Sequence, residues 1–234
     1  NGCTATQAFA FVIKCPVPGW GYGVNTTATA TTPQGIYEID FATGNARFMT
    51  PVVTGFAVTD GNALAFAEQL GTKGVVIYST GNANDARLAV WDRATGVQNV
   101  AGDLATFGFA AANPIRGGAY HAGFYWLVAN GTDDLWKVAI SGTSGSYAIS
   151  SAQKVSDLFS NSKAHNYGDI VVNGNGVLFG VALVSPANTP TDFFTANLTV
   201  PAPAATFLAN PASAYNGLAF GTDRHETTRG CLLA

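Results

Sequence analysis

The feature that most constrains the fold is a phrase that the chain uses twice. "GIYEIDFATG" occupies residues 35–44, and "RLAVWDRATG" occupies residues 87–96. In each copy an alternating apolar run reaches an Asp, and a Thr-Gly follows. Alternation with period two marks a strand with one face buried. The Asp and the Gly behind it mark a turn. Asp40 and Asp92 can accept backbone N–H bonds, and Gly44 and Gly96 can take positive φ without a steric penalty. The two acids therefore read as punctuation between strands. The competing reading, in which they are metal ligands, is the weaker one.

Fainter copies extend the pattern. "LWKVAISGTSG" (135–145) keeps the alternation and a Gly turn but has no Asp, and "FFTANLTVPAP" (193–203) keeps only the apolar start. A second phrase comes ahead of these copies: "NALAFA" (62–67), "GGAYHA" (117–122), "GDIVVN" (168–173) and "NGLAFG" (216–221). A third comes after the second: "VVIYST" (75–80), "FYWLVA" (124–129), "VLFGVA" (177–182) and the terminal "CLLA" (231–234). Fourth strands follow in "ARFMTPV", "VQNVAG", "YAISSA" and "ATFLA". A four-strand unit repeating at about 50 residues is the signature of a propeller blade.

The expectation is an all-β chain, one β-propeller domain over residues 1–234 with four to five four-stranded blades. Its units run over about 5–52, 53–104, 105–158 and 159–210, with a partial unit at 211–234. Five blades are favoured, the last completed by the N-terminal strand "QAFAFVI" (7–13), so that strands from both termini close the ring. The alternative is an incomplete blade whose open edges template a neighbour. Strand addition from another copy would then propagate a filament. One window, "ISSAQKVSDLFSN" (149–161), reads as a short helix or an irregular turn. The 27 Gly and 10 Pro supply breaks between the other runs.

Composition narrows the setting. Charged residues make up 11% of the 234 positions, against roughly 25% in an ordinary soluble domain. A surface so poor in charge needs glycans or neighbouring subunits to keep it soluble. The 11 Lys and Arg form no basic stripe, so nucleic acid is not an expected partner. No apolar stretch reaches the about 18 residues that a membrane-spanning helix needs, so no membrane span is expected.

Cys3, Cys15 and Cys231 sit near the two ends of the chain. They are disulfide candidates. A bond from Cys231 to Cys3 or to Cys15 would pin the termini, at about 4–5 kcal/mol in the chain-entropy model. Three sequons begin at Asn25, Asn130 and Asn197, and the segment Thr26 to Thr32 reads as an O-glycan target or a flexible loop. Together these features point to an extracellular or cell-surface glycoprotein with N-glycans as its covalent partners.

"GIYEIDFATG" followed by "NALAFAEQLGTKGVVIYST" (62–80) resembles the blades of extracellular propellers related to the NHL and quinoprotein-like groups. "FVIKCPVPGWGYGV" (11–24) resembles the opening of some such domains on large surface proteins. The resemblance implies a propeller fold and a cell-surface or matrix setting. It implies no activity.

The search for chemistry is short. No nucleophile elbow, HExxH or EF-hand loop is present, no carboxylate pair for glycoside hydrolysis can be picked out among 14 acids, and no cofactor is expected. His121 reads as a hydrogen-bonded strand or loop residue. His165 precedes an inner strand and could face a central channel with Asp169. His225 lies in a charged turn. Asp133 and Asp134 are adjacent acids without the spaced third that Ca²⁺ binding needs. Most aromatics read as blade packing. Trp20 and Tyr22, in "PGWGYG", are the candidates for stacking on a ligand.

The reading is a non-catalytic secreted glycoprotein, a structural or adhesive propeller that self-associates into a fibre or matrix. The alternatives are a lectin-like propeller and a polysaccharide-active propeller enzyme.

Overall fold

The computed structural model describes residues 20–29, 32–40, 42–56, 58, 62–159, 165–184, 191–209, 219–222 and 230–233. The chain is an all-β, four-blade propeller. Blade 1 contains β1 (Trp20–Asn25), β2 (Gly35–Asp40) and β3 (Ala46–Pro51). Blade 2 contains β4 (Asn62–Ala67), β5 (Val75–Ser79), β6 (Arg87–Asp92) and β7 (Gln98–Asp103). A short 3-10 helix, Leu104–Phe107, follows. Blade 3 contains β8 (Ile115–His121), β9 (Phe124–Ala129), β10 (Asp134–Ser141) and β11 (Ala148–Asp157). Blade 4 contains β12 (His165–Val172), β13 (Val177–Val184), β14 (Thr191–Asn197) and β15 (Ala205–Ala209). Every blade is an antiparallel meander in chain order.

Residues at 211–234 supply one two-stranded hairpin, β16 (Ala219–Thr222) with β17 (Gly230–Leu233), and β16 lies beside β12. The structure thus gives four blades and a hairpin where the repeat count favours five blades. The N-terminal closing strand, Cys3, Cys15 and His225 lie outside the described residues. The 149–161 window is corrected: β11 runs ten residues as a strand. Ile149 and Ala152 pack against the core, so tertiary burial overrides a mixed local pattern.

Three apolar clusters fill the junctions between blades. Ile36, Phe56, Val76 and Tyr78 meet between blades 1 and 2. Val75, Ile77, Leu88, Tyr125 and Trp136 meet between blades 2 and 3. Trp126, Val128, Ile170 and Phe194 meet between blades 3 and 4. Successive residues of β5 serve opposite junctions, and all five are buried. A strand buried on both faces needs an unbroken apolar run, and "VVIYS" supplies one.

The inner strands β4, β8 and β12 pack against one another through a Gly pair. A Cβ on Gly118 would come within 2.5 Å of the Ala63 carbonyl oxygen, and one on Gly117 within 3.0 Å of the Ile170 nitrogen. Only a residue without a side chain allows that approach. The Tyr125 hydroxyl, fully buried, donates to the Ala63 carbonyl. These contacts bring the backbones of neighbouring inner strands together at this level.

Candidate functional site

The two ends of the blades differ in chemistry. At one end lie the repeat turns. The Asp40 carboxylate accepts from the Ala42 N–H at 2.9 Å and the Thr43 hydroxyl at 2.9 Å. Asp92 accepts from the Ala94 N–H at 2.8 Å and the Thr95 N–H at 3.2 Å. Gly44 and Gly96 take φ of 73° and 75°, as the turn requires. Asp92 accepts one bond more, from the Tyr147 hydroxyl of blade 3 at 2.8 Å. Burial works to raise the Asp92 carboxyl, but the Tyr147 bond and the turn N–H bonds outweigh it and hold it below its ordinary 3.8. The Tyr147 phenol is pushed up to about 12, by burial first and then by that carboxylate. These groups satisfy one another and lock blade 2 to blade 3.

Glu38 does the same between blades 1 and 2. It accepts from Arg47 at 2.6 Å, Arg93 at 3.1 Å and the Tyr22 hydroxyl at 3.2 Å. Tyr22 also packs on Phe66 and Trp91. Trp20, 52% exposed, pairs in register with Asp40. The structure thus separates the two stacking candidates: Trp20 is open to solvent, and Tyr22 belongs to a blade junction.

The opposite end carries the candidate site. His165 opens β12, and the period of two in the strand puts Tyr167 on the same face. The loop between β9 and β10 is fastened to that strand. The Gly131 N–H donates to the His165 carbonyl at 2.9 Å, and the Tyr167 N–H donates to the Asn130 side-chain oxygen at 2.6 Å. The Leu158 N–H donates to the Asp133 carbonyl at 2.7 Å. So held, the Asp133 carboxylate meets His165 Nδ1 at 2.6 Å. The His165 side chain is 0% exposed and that of Asp133 is 10% exposed. Phe159 stacks on the imidazole at 4.2 Å and 23°, and Phe194 meets Phe159 edge-on at 5.0 Å.

Among the described residues His165 Nε2, which is buried, has no hydrogen-bond partner, and the Tyr167 hydroxyl is buried beside the Asp133 carboxylate. Burial, and then the carboxylates of Asp133, Asp134 and Asp157, raise the Tyr167 phenol well above its ordinary value, so it stays protonated. Lys154 bridges Asp134 and Asp157 at 2.7 Å each and keeps those charges balanced at the rim.

The sequence names His165 and pairs it with Asp169. The structure brings it to Asp133 instead. Asp169 accepts from the Ile170 N–H at 2.8 Å, and its charge, after burial, raises the Tyr125 phenol. Asp133 was visible only as half of an acidic pair, and Tyr167 carried no signal beyond its spacing of two from His165. His121 lies half-buried at the far end of β8, where burial lowers its pKa. Among the described residues no group of three His, Cys, Asp or Glu is arranged to hold a metal ion, and no helix is long and apolar enough to cross a membrane.

No protein-family model and no curated protein matches the chain. Solved structures do. A calcium-binding protein, regucalcin, from Agrobacterium tumefaciens strain C58 is 11% identical with a TM-score of 0.44, over 75% of this chain and 52% of that one. A luciferin-regenerating enzyme is 10% identical with a TM-score of 0.42, over 70% of this chain and 49% of that one. The chain spans about half the length of these neighbours, and the likeness is one of fold. One is described as a calcium-binding protein and the other as an enzyme. That finding corrects the expectation of a non-catalytic structural module, and with it the expectation that the chain is no enzyme. Of the resemblance to NHL and quinoprotein-like propellers, the β-propeller fold is what stands.

Proposed function

We propose that the chain is a propeller enzyme of hydrolase or lyase type, with its acid–base chemistry at the junction of blades 3 and 4. The observation that carries this reading is the pair formed by buried His165 and Asp133, 2.6 Å apart, with Nε2 unpartnered among the described residues. A carboxylate on Nδ1 fixes the imidazole tautomer and leaves Nε2 as the proton acceptor. It also stabilises the imidazolium formed when Nε2 takes a proton from water or substrate. The Tyr167 phenol, held protonated, can donate to an oxygen that develops negative charge. A buried polar atom without a partner costs about 1–3 kcal/mol, and at Nε2 a proton taken from water or substrate would supply the missing bond. Phe159 lies flat on the imidazole at 4.2 Å.

The test is turnover on a panel of polysaccharides and their esters by wild type, His165→Gln and Asp133→Asn. Loss of about 10²–10⁴-fold in kcat/KM in either variant, with the fold intact by circular dichroism, is the expected result. Unchanged turnover in His165→Gln, or no turnover by wild type on any member of the panel, removes the reading.

A further inference from the structure

The three sequons are not equivalent in the folded chain. The Asn25 side-chain nitrogen donates to the Thr27 carbonyl at 2.8 Å, to that of Pro33 at 3.0 Å and to that of Thr32 at 3.4 Å. Both of its hydrogens point into the loop that follows β1. A sugar replaces one of them, so a glycan there displaces the loop. Asn130 is half-buried between blades 3 and 4, with its amide plane fixed by the 2.6 Å bond from the Tyr167 N–H. It stands three residues from Asp133, so a glycan at Asn130 would push into the loop that holds the His165 pair.

Asn197 is exposed and is the last residue of β14, where the turn begins. Its side-chain oxygen accepts from the Thr199 N–H at 2.9 Å and the Thr199 hydroxyl at 2.8 Å. Those bonds fix the orientation of the amide and use its oxygen only, which leaves the nitrogen, the atom that carries an N-glycan. β14 ends at the opposite edge of its blade from His165, since Val177 pairs with Asn197 and His165 pairs with Val184.

We infer that Asn197 is the single N-glycan acceptor of the folded protein, and that Asn25 and Asn130 stay bare. A carbohydrate chain there covers the turn edge of blade 4 and leaves the His165 end open. The inference is independent of the catalytic reading, since it rests on amide geometry and exposure alone.

The experiment is secretion of the full chain from a eukaryotic host, with glycopeptide mapping of the soluble monodisperse fraction. One glycan, mapped to Asn197 and absent in Asn197→Gln, is the expected result, and Asn25→Gln and Asn130→Gln leave the intact mass unchanged apart from the substitution. Occupancy at Asn25 or Asn130 overturns the inference, as does a bare Asn197 in the secreted protein. The wild-type map decides the matter even if a variant fails to secrete.

Discussion

Each edge of blade 3 carries an acid's contact across a blade junction, and the two acids are used differently. At the turn edge, Asp92 of blade 2 reaches the Tyr147 hydroxyl, and each of its described partners is a donor satisfied by the carboxylate. At the other edge, Asp133 reaches His165, and among the described residues the far nitrogen of that ring is left without a partner. The first arrangement closes a hydrogen-bond account, as a structural lock should. The second leaves one open. Asp92 shares its turn phrase with Asp40, whereas the His165–Asp133 pair lies outside that phrase. What the chain repeats is its scaffold, and what occurs once is where its chemistry is to be sought.

The contrast breaks most sharply at His165. His165→Gln and Asp133→Asn are each expected to lower turnover by about 10²–10⁴-fold, and the double variant little further, because the pair acts as a unit. Additive losses in a kinetic double-mutant cycle would separate the two residues.

The turn edge should respond in stability and not in chemistry. Asp92→Ala strips acceptors from the Tyr147 hydroxyl and two turn N–H groups, at a cost of about 2–4 kcal/mol in denaturant unfolding. The same variant, below its unfolding temperature, is expected to keep its turnover. Turnover lost with the fold retained would show that the two edges are coupled.

Acid exposes the same lock. The Asp92 carboxyl is held below its ordinary 3.8 in the folded chain. Its contribution is therefore complete above that value and is lost as the pH falls through the lower folded one. Tyr147→Phe removes a bond to the charged form and brings the folded pKa back up. Acid unfolding followed by circular dichroism should then begin at higher pH in Tyr147→Phe than in wild type. An unmoved acid midpoint would mean that the Tyr147 bond contributes nothing to holding the charge.

The smallest effect is expected at Asp40. It makes the same turn, but its described partners all lie inside that turn and it is half-exposed. Asp40→Ala should cost about 0.5–1 kcal/mol, in line with a solvent-screened hydrogen bond. A loss equal to that of Asp92→Ala would erase the distinction between punctuation and lock.

The strands were legible because each reports on its own burial. The runs at 35–40, 87–92, 124–129 and 205–209 form β2, β6, β9 and β15 with the bounds their alternation suggests. The reading found the start of β11 in "YAISSA" but missed its continuation to Asp157, where "AQKVSD" has polar residues on an outer strand of the blade. It also named His165 without its partner. Asp133 lies in a different blade, and nothing local marks a contact made by the packing of two sheets.

The sequence by itself determined the period, the four-strand unit and the Asp–Thr–Gly turns, because hydrophobic alternation and turn chemistry act over a few residues. It also supplied three sequons of equal standing. Only the tertiary structure decided that Asp92 is a lock and Asp40 is not, that His165 pairs with Asp133 and not with Asp169, and that the Asn25 nitrogen is engaged and Asn130 half-buried while Asn197 is exposed. Each of those outcomes depends on which blade edge meets which. The meeting is set by the burial of three junctions together, so no single stretch of the chain records it.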